Sequence, residues 1–244
     1  MISLIQITDP HLTENKKTKV KSWSTHASFK KIVDFITNNE NPDFIVVSGD
    51  ISNDGTKKSY IAYQKGIELF KKPVYTILGN HDNHKNFRTV FGTKFRSIEK
   101  IALSETWLMI LIDSTSSNKE SGYITKQQMY SLRKLIKNNK DKNIVIFLHH
   151  QPIKMGFWID QIGLENSDHF TASIANQSNI KAVVWGHVHY ESENSLRSIK
   201  MLSTPSTCYQ FYGNAQKPDT NKPGYRKINL LKSGKIETKV VRID

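Results

Sequence analysis

The feature that most restricts this fold is a series of short apolar runs that each stop at a histidine- or acid-bearing cluster. Leu4 to Thr8 stops at Asp9-Pro10-His11, Phe44 to Ser48 at Gly49-Asp50, and Val74 to Leu78 at Gly79-Asn80-His81-Asp82. Ile144 to Leu148 stops at His149-His150, and Ala182 to Trp185 at Gly186-His187-Val188-His189. Short Val- and Ile-rich runs bounded in this way read as buried strands. Between them the period changes to that of a helix. Ser24 to Asn38 carries Phe29, Ile32, Val33 and Ile36 on one face, with Ser24 or Thr25 as N-cap. A second helical stretch covers Thr56 to Phe70. A third, Thr125 to Asn138, has a Thr125–Gln128 capping box and a stripe of Leu132, Leu135 and Ile136. Strand, helix and strand in this order imply βαβ units. After Trp185 the pattern becomes β-rich, with runs at Ile199–Leu202, Tyr209–Phe211, Tyr225–Leu231 and Ile236–Val241, and a Pro- and Lys-containing loop at 213–224. The expected fold is a mixed α/β sandwich with its strand ends facing a shared site.

At 244 residues the chain is long enough for one domain with a full core. No apolar run reaches the length of a bilayer span, and Met1 leads directly into a strand pattern with no basic and apolar leader, so cytoplasmic residence is the default expectation. Cys208 is the only cysteine, which excludes an internal disulfide and a thiolate metal site; a metal must be held by His, Asp, Glu or Asn. The net charge of +13 favours anionic ligands in general. Its lysines are scattered among asparagines without interleaved aromatics, which reads as a solvated surface and argues against nucleic acid as partner. A small phosphodiester is the expected partner, and a homodimer is one assembly open to such a chain.

Six of the nine histidines fall in the strand-end clusters. Open α/β sheets build sites at the carboxyl ends of their strands. In extended backbone, residues i and i+2 point the same way, so Asp9 with His11 and His187 with His189 can each converge on one ion. Glycines before Asp50, Asn80 and His187 let the backbone turn beneath the metals. Oxygen and imidazole ligands suit Mn, Fe, Co or Zn, and one shared carboxylate would hold two ions ~3.5–4 Å apart.

The ordered series Asp9-x-His11, Gly49-Asp50, Gly79-Asn80-His81-Asp82, His149-His150 and Gly186-His187-x-His189 resembles the calcineurin-like metallophosphoesterase superfamily. The resemblance implies a four-layer α/β/β/α sandwich of two mixed sheets flanked by helices, a single domain over residues 1–244, with the β-rich part from about 190 to 244 completing the second sheet. It implies two divalent ions, Fe or Mn foremost and Zn, Co or Mg as alternatives. One would be held by Asp9, His11, Asp50 and His189, the other by Asp50, Asn80, His149 and His187, with Asp50 shared. His81, supported by Asp82, would stand beside the leaving group as acid or phosphate donor, Asn80 and His81 would contact substrate, and His150 would either support the ligands from behind or contact substrate too. Adjacent residues of a strand face opposite sides, so only one of His149 and His150 binds metal; His149, directly after the apolar run, is the expected ligand.

A narrower resemblance covers nearly the whole chain. His149-His150-Gln151-Pro152, Trp158 to Leu164, Gly186 to His189, Thr204 to Phe211 and Pro223 to Arg226 are similar to bacterial class III 3′,5′-cyclic nucleotide phosphodiesterases. Gln151 departs from the pattern, where the family usually has proline. This resemblance implies hydrolysis of cAMP to 5′-AMP by a metal-bridging hydroxide. Alternatives are a broader phosphodiesterase or phosphatase, acting on glycerophosphodiesters, nucleic acid or a pyrophosphate-linked lipid precursor, or a metal-binding scaffold without chemistry. Outside the motifs, His26, His84 and His169 read as surface or helix-start residues, Asn53 and Asp54 as caps of the helix near Thr56, Asp113 as a turn residue, Trp185 and Tyr190 as packing, and Cys208 as buried and inert.

Overall fold

A computed structural model gives the fold, and it describes residues 1–92, 96–211 and 221–244. Most of the loop expected at 213–224 lies outside the described residues. The elements run β1 (Ile2–Ile7), α1 (Thr25–Asn39), β2 (Phe44–Ser48), α2 (Lys57–Ile67), β3 (Val74–Ile77), α3 (His84–Phe91), β4 (Ile98–Ala102), β5 (Trp107–Ile112), α4 (Lys126–Lys137), β6 (Asn143–Phe147), α5 (Ser167–Ile174), β7 (Ile180–Trp185), β8 (Ser192–Leu196), β9 (Ile199–Ser203), β10 (Gly224–Leu230) and β11 (Ile236–Arg242). They form a five-stranded sheet, β11-β10-β1-β2-β3, and a six-stranded sheet, β4-β5-β6-β7-β9-β8. Both are mixed. β1, β2 and β3 are parallel, as are β5, β6, β7 and β9, while β4, β8, β10 and β11 pair antiparallel with their neighbours.

The four layers follow from strand alternation. In β1 and β2, Leu4, Phe44 and Val46 meet Met109, Leu111, Val145, Phe147 and Val184 of the other sheet, while Ile5, Ile7, Ile45 and Val47 face outward onto Phe29, Ile32 and Ile36 of α1 and Tyr60 and Tyr63 of α2. Leu108, Ile110, Ile144 and Ile146 similarly turn outward onto Leu132 and Ile136 of α4 and Phe170 and Ile174 of α5. Each strand of this kind is buried on both faces, which is why it reads as a continuous apolar run. The capping box of α4 is formed in both directions: Thr125 Oγ1 accepts from Gln128 N–H, and the Gln128 side chain accepts from Thr125 N–H.

Two expectations need correction. The C-terminal strands do not all complete the second sheet: β8 and β9 join it, but β10 and β11 return to the first and pair with β1. Fully buried Arg226 of β10 tethers that return, its guanidinium donating to the Ser203 carbonyl of β9 at 2.9 Å, the Ser192 carbonyl of β8 at 3.3 Å and Glu193 at 2.7 Å. Nor is Tyr209–Phe211 a strand; it is an extended loop tied to the site by Phe211 N–H donating to the His189 carbonyl at 3.2 Å.

Candidate metal centre

β1, β2 and β3 of one sheet and β6 and β7 of the other end at the same edge of the sandwich, and the loops that follow them interlock. His149 Nδ1–H donates to the Ser48 carbonyl at 2.7 Å, and His187 N–H to Asp9 Oδ2 at 3.0 Å. Beneath them Gln6 Nε2 donates to Ser48 Oγ at 2.7 Å and to the Trp185 carbonyl at 3.2 Å. The backbone here is not extended as the i, i+2 spacing suggested. Asp9 (φ +54°), His11 (+45°), Asp50 (+49°), His187 (+63°) and His189 (+43°) all sit in the left-handed region. That conformation costs an L-residue ~1–2 kcal/mol, and five such residues in one site mark a geometry imposed by the surrounding packing. Gly49 supplies the turn expected of it (φ +101°); Gly79 is there for close approach, since a Cβ on it would lie 2.2 Å from Asp50 Oδ1.

The side chains converge through the ring nitrogens that face away from backbone carbonyls. A carbonyl only accepts, so a ring nitrogen facing one carries a proton, and in the neutral imidazole the opposite nitrogen is the one left to ligate. His149 Nδ1–H points to Ser48, His189 Nδ1–H to the Tyr209 carbonyl at 2.8 Å, and His187 Nε2–H to the Ile162 carbonyl at 3.1 Å. His189 Nε2 lies 3.1 Å from His11 Nε2 and 3.3 Å from Asp9 Oδ1. His149 Nε2 lies 3.4 Å from Asp50 Oδ1 and 3.2 Å from Asn80 Oδ1, while Asp50 Oδ2 faces His11 Nε2 at 3.6 Å. Donor atoms of Asp9–His11–His189, of Asp9–Asp50–His149, of His11–Asp50–His81 and of His149–His150–His187 each fall within 4.8 Å of one another. Asp9, His11, Asp50, His149, His187 and His189 are all buried.

This donor set fits divalent cations. Burial pushes His11 down to about 3 and His187 well below the usual imidazole range, which keeps them neutral as ligation requires. Against the cost of burial, the Asp50 carboxylate holds His149 up to about 9; a cation there would offset the same carboxylate charge. Asp9 and Asp50 stay below the ordinary carboxylate range despite burial because imidazoles crowd them.

His150 is placed differently. Its Nδ1 accepts from Ser114 Oγ–H at 2.8 Å and its Nε2–H donates to the Glu120 carbonyl at 3.1 Å. Both nitrogens are engaged and the ring is fully buried, which favours, of the two roles open to it, a supporting position behind His149 and His187, whose rings lie 4.8 and 4.7 Å from it. Asp82 does not support the His81 ring. Its carboxylate accepts from the backbone N–H groups of Ile51 (3.1 Å), Ser52 (3.0 Å) and Gly79 (2.9 Å) and from Tyr60 Oη–H (3.1 Å), clamping the loops that carry Asp50 and Asn80. Burial and the Asp50 charge push its carboxyl up to about 6. His81 is exposed, with Nδ1–H directed at the Asn53 carbonyl at 3.3 Å and its backbone N–H donating to Asp50 Oδ1 at 2.9 Å.

Other residues also find places. Thr56, not Asp54, caps α2, accepting from Ser59 N–H, and Asp54 in turn accepts from Thr56. Asp113 Oδ1 makes the expected turn contacts to Thr115, while Oδ2 pairs with His84 at 2.9 Å. Gln151 donates through Nε2 to the Ile159 carbonyl at 2.8 Å, a tie that proline could not make. Cys208 is fully buried, and burial raises its thiol far from reactivity. Sequence reasoning missed Ser114 and Glu120 behind His150, and the carbonyls of Ser48, Ile162 and Tyr209, which carry no side-chain signal.

Two cavities meet at the site. One of about 330 Å³ is lined by His11, Asp50, Asn80, His81, His187 and His189 together with Val20, Lys21, Trp158, Ile159, Ile162, Tyr209 and Phe211. The second, about 810 Å³, lies beyond Asn80, His81 and Glu120, between residues 79–85 and 113–120. No helix among the described residues is long and apolar enough to cross a membrane.

Solved structures with this architecture include a dimetal phosphatase from Danio rerio, which matches with a TM-score of 0.72 at 9% identity over 99% of this chain and 98% of that one, a likeness of fold. Among curated proteins, the 3′,5′-cyclic adenosine monophosphate phosphodiesterases CpdA of Haemophilus influenzae and Vibrio vulnificus are each 32% identical, covering 100% and 99% of this chain and 90% of their own length. The calcineurin-like phosphoesterase family model matches residues 2–191, the span that holds every strand-end cluster. Membership implies divalent metal ions, which the donor set accommodates, and the chain therefore belongs to the calcineurin-like phosphoesterase family.

Proposed function

We propose that the chain is a dinuclear-metal-dependent phosphodiesterase that opens 3′,5′-cyclic nucleotides, converting cAMP to 5′-AMP. The observation that carries this reading is the Asp50 carboxylate, whose two oxygens face two different imidazoles, His149 at 3.4 Å and His11 at 3.6 Å. That is the arrangement one carboxylate needs to serve two ions. Relatives named as cAMP phosphodiesterases, aligned over the full chain, support the substrate.

Asp9, His11, Asp50 and His189 would hold one ion, and Asp50, Asn80, His149 and His187 the other, with Fe or Mn best suited and Zn, Co or Mg as alternatives. When bound, such a pair would neutralise charge on the phosphoryl group and lower the pKa of bound water. The protein's own groups do the rest. Asn80 Oδ1 is turned toward His149, which leaves its amide N–H groups to donate to a phosphoryl oxygen. His81, anchored through Nδ1 to Asn53, keeps Nε2 to give a proton to the 3′-oxygen as the P–O bond breaks. His150 and Asp82 position the ligand loops without touching substrate. A reducing cytoplasm suits the one buried thiol.

The test is hydrolysis by metal-free protein reconstituted with Mn, Fe, Zn or Mg, comparing cAMP with bis(p-nitrophenyl) phosphate and with an Asn80→Ala control. Metal-dependent turnover of both, lost in the control, supports the reading. The adjoining cavity of about 810 Å³ has room for a bulkier leaving group, so turnover of the generic diester without cAMP would favour a broader phosphodiesterase. Turnover of neither would favour a silent metal-binding scaffold.

A further inference from the structure

The site cavity has two chemically different halves. Beside the ligand cluster the same cavity is lined by Val20, Trp158, Ile159, Ile162, Tyr209 and Phe211, an apolar wall for which a phosphoryl group has no use. Its exposure is uneven. Tyr209 is 5% exposed and holds the His189 ring at 4.7 Å; Phe211 is stacked on His189 at 4.3 Å and 13° and has the Lys21 ammonium 4.6 Å from its ring. The available faces of those two rings are thus taken. Trp158 is the exception: it meets Phe211 edge-on at 4.9 Å and 74°, and 49% of it remains accessible. Beside the Phe211 edge and a Lys21 ammonium 6.0 Å away, this half-exposed indole on the lining of a 330 Å³ cavity keeps aromatic surface open to a ligand, and ligand clefts are lined mainly by such side chains.

We propose that Trp158 is the stacking platform for the nucleobase, with the phosphate directed at the ligand cluster and the base laid along the wall. This proposal rests on the nucleotide reading above. Stacking on an indole tolerates any base because every base offers a π-face, so the subsite would supply affinity for nucleotides over plain phosphate esters more than choice among bases. Lys21 belongs to the same wall. Its backbone is left-handed (φ +46°), as is that of Ser22 (+69°), in a turn closed by Val20 and Trp23 exchanging backbone hydrogen bonds at 3.0 and 2.9 Å. The turn brings the ammonium 6.0 Å from the Trp158 ring centre, near enough to donate to an acceptor on the base edge.

The experiment is calorimetric titration of Mn-loaded protein with 5′-AMP and with ribose 5-phosphate, which share the phosphate and sugar and differ in the base. It is run on the wild type, Trp158→Ala and Trp158→Phe, with bis(p-nitrophenyl) phosphate turnover followed in parallel. The wild type should bind AMP at least about tenfold more tightly than ribose 5-phosphate; the ratio should fall toward one in Trp158→Ala through AMP alone and be largely kept in Trp158→Phe. A wild-type ratio near one, a ratio unchanged in Trp158→Ala, or equal weakening of both ligands in both variants would overturn the proposal; the second would send the base to the larger cavity. Absence of diester turnover would count against the enzymatic reading alone, because the binding ratio is read without it.

Discussion

Gly49 and His149 are packed so closely that a Cβ on Gly49 would lie 2.3 Å from His149 Nδ1, the atom whose proton is given to Ser48. The glycine is thus part of how His149 is aimed. Gly49→Ala is expected to push the ring off the Ser48 carbonyl, and misplacement of that kind commonly costs about 100-fold in rate. The measurement is kcat/KM on bis(p-nitrophenyl) phosphate beside far-UV circular dichroism. A fall with an unchanged spectrum is expected.

Asp82→Asn should destabilise the protein more than an ordinary surface change. The carboxylate accepts three backbone N–H groups and the Tyr60 hydroxyl, and one amide oxygen cannot replace two carboxylate oxygens. With buried bonds to a charged acceptor worth about 1.5–3 kcal/mol each, a loss of about 3 kcal/mol is expected in urea unfolding.

Arg226 tests how the two sheets are joined on the C-terminal side. Arg226→Met removes the donors to the Ser203 and Ser192 carbonyls. Buried carbonyls left unpaired cost about 1–3 kcal/mol each, more than the desolvation that methionine relieves, so a net loss of about 2 kcal/mol is expected by denaturant titration.

The His84–Asp113 pair should leave a signature in stability against pH. Its hydrogen bond to Asp113 raises the His84 pKa above 6.5, so its contribution is complete below 6.5 and disappears as the pH rises through the raised folded value. The Tm difference between wild type and His84→Gln should be greatest near pH 6 and close at higher pH. The pair is partly exposed, so the difference will be small.

The fold was readable because double-sided burial writes β1, β2, β5, β6 and β7 as apolar runs and leaves α1 and α4 with clean stripes. What stayed hidden has a physical cause in each case. β8, Ser-Glu-Asn-Ser-Leu, is a mostly exposed edge strand without apolar alternation, and β4 is likewise half-exposed. The return of β10 to the first sheet depends on pairing with β1, a contact across most of the chain that no local pattern encodes. At the site, the convergent residue types were legible. The left-handed backbone at Asp9, His11, His187 and His189 was not, because it is imposed by tertiary packing. The role of His150 and the partners of Asp82 do not show in the sequence, because a position beside a motif does not reveal the Ser114, Glu120 and backbone groups that hold these side chains.

The central claim is that one carboxylate, Asp50, serves two ions. Counting bound Mn per chain by elemental analysis in the wild type, Asp50→Ala and His189→Ala tests it most directly. Two ions are expected in the wild type, about one in His189→Ala, and fewer than one in Asp50→Ala, with turnover lost in the last. Two ions retained by Asp50→Ala, or a wild type that binds only one, would contradict it.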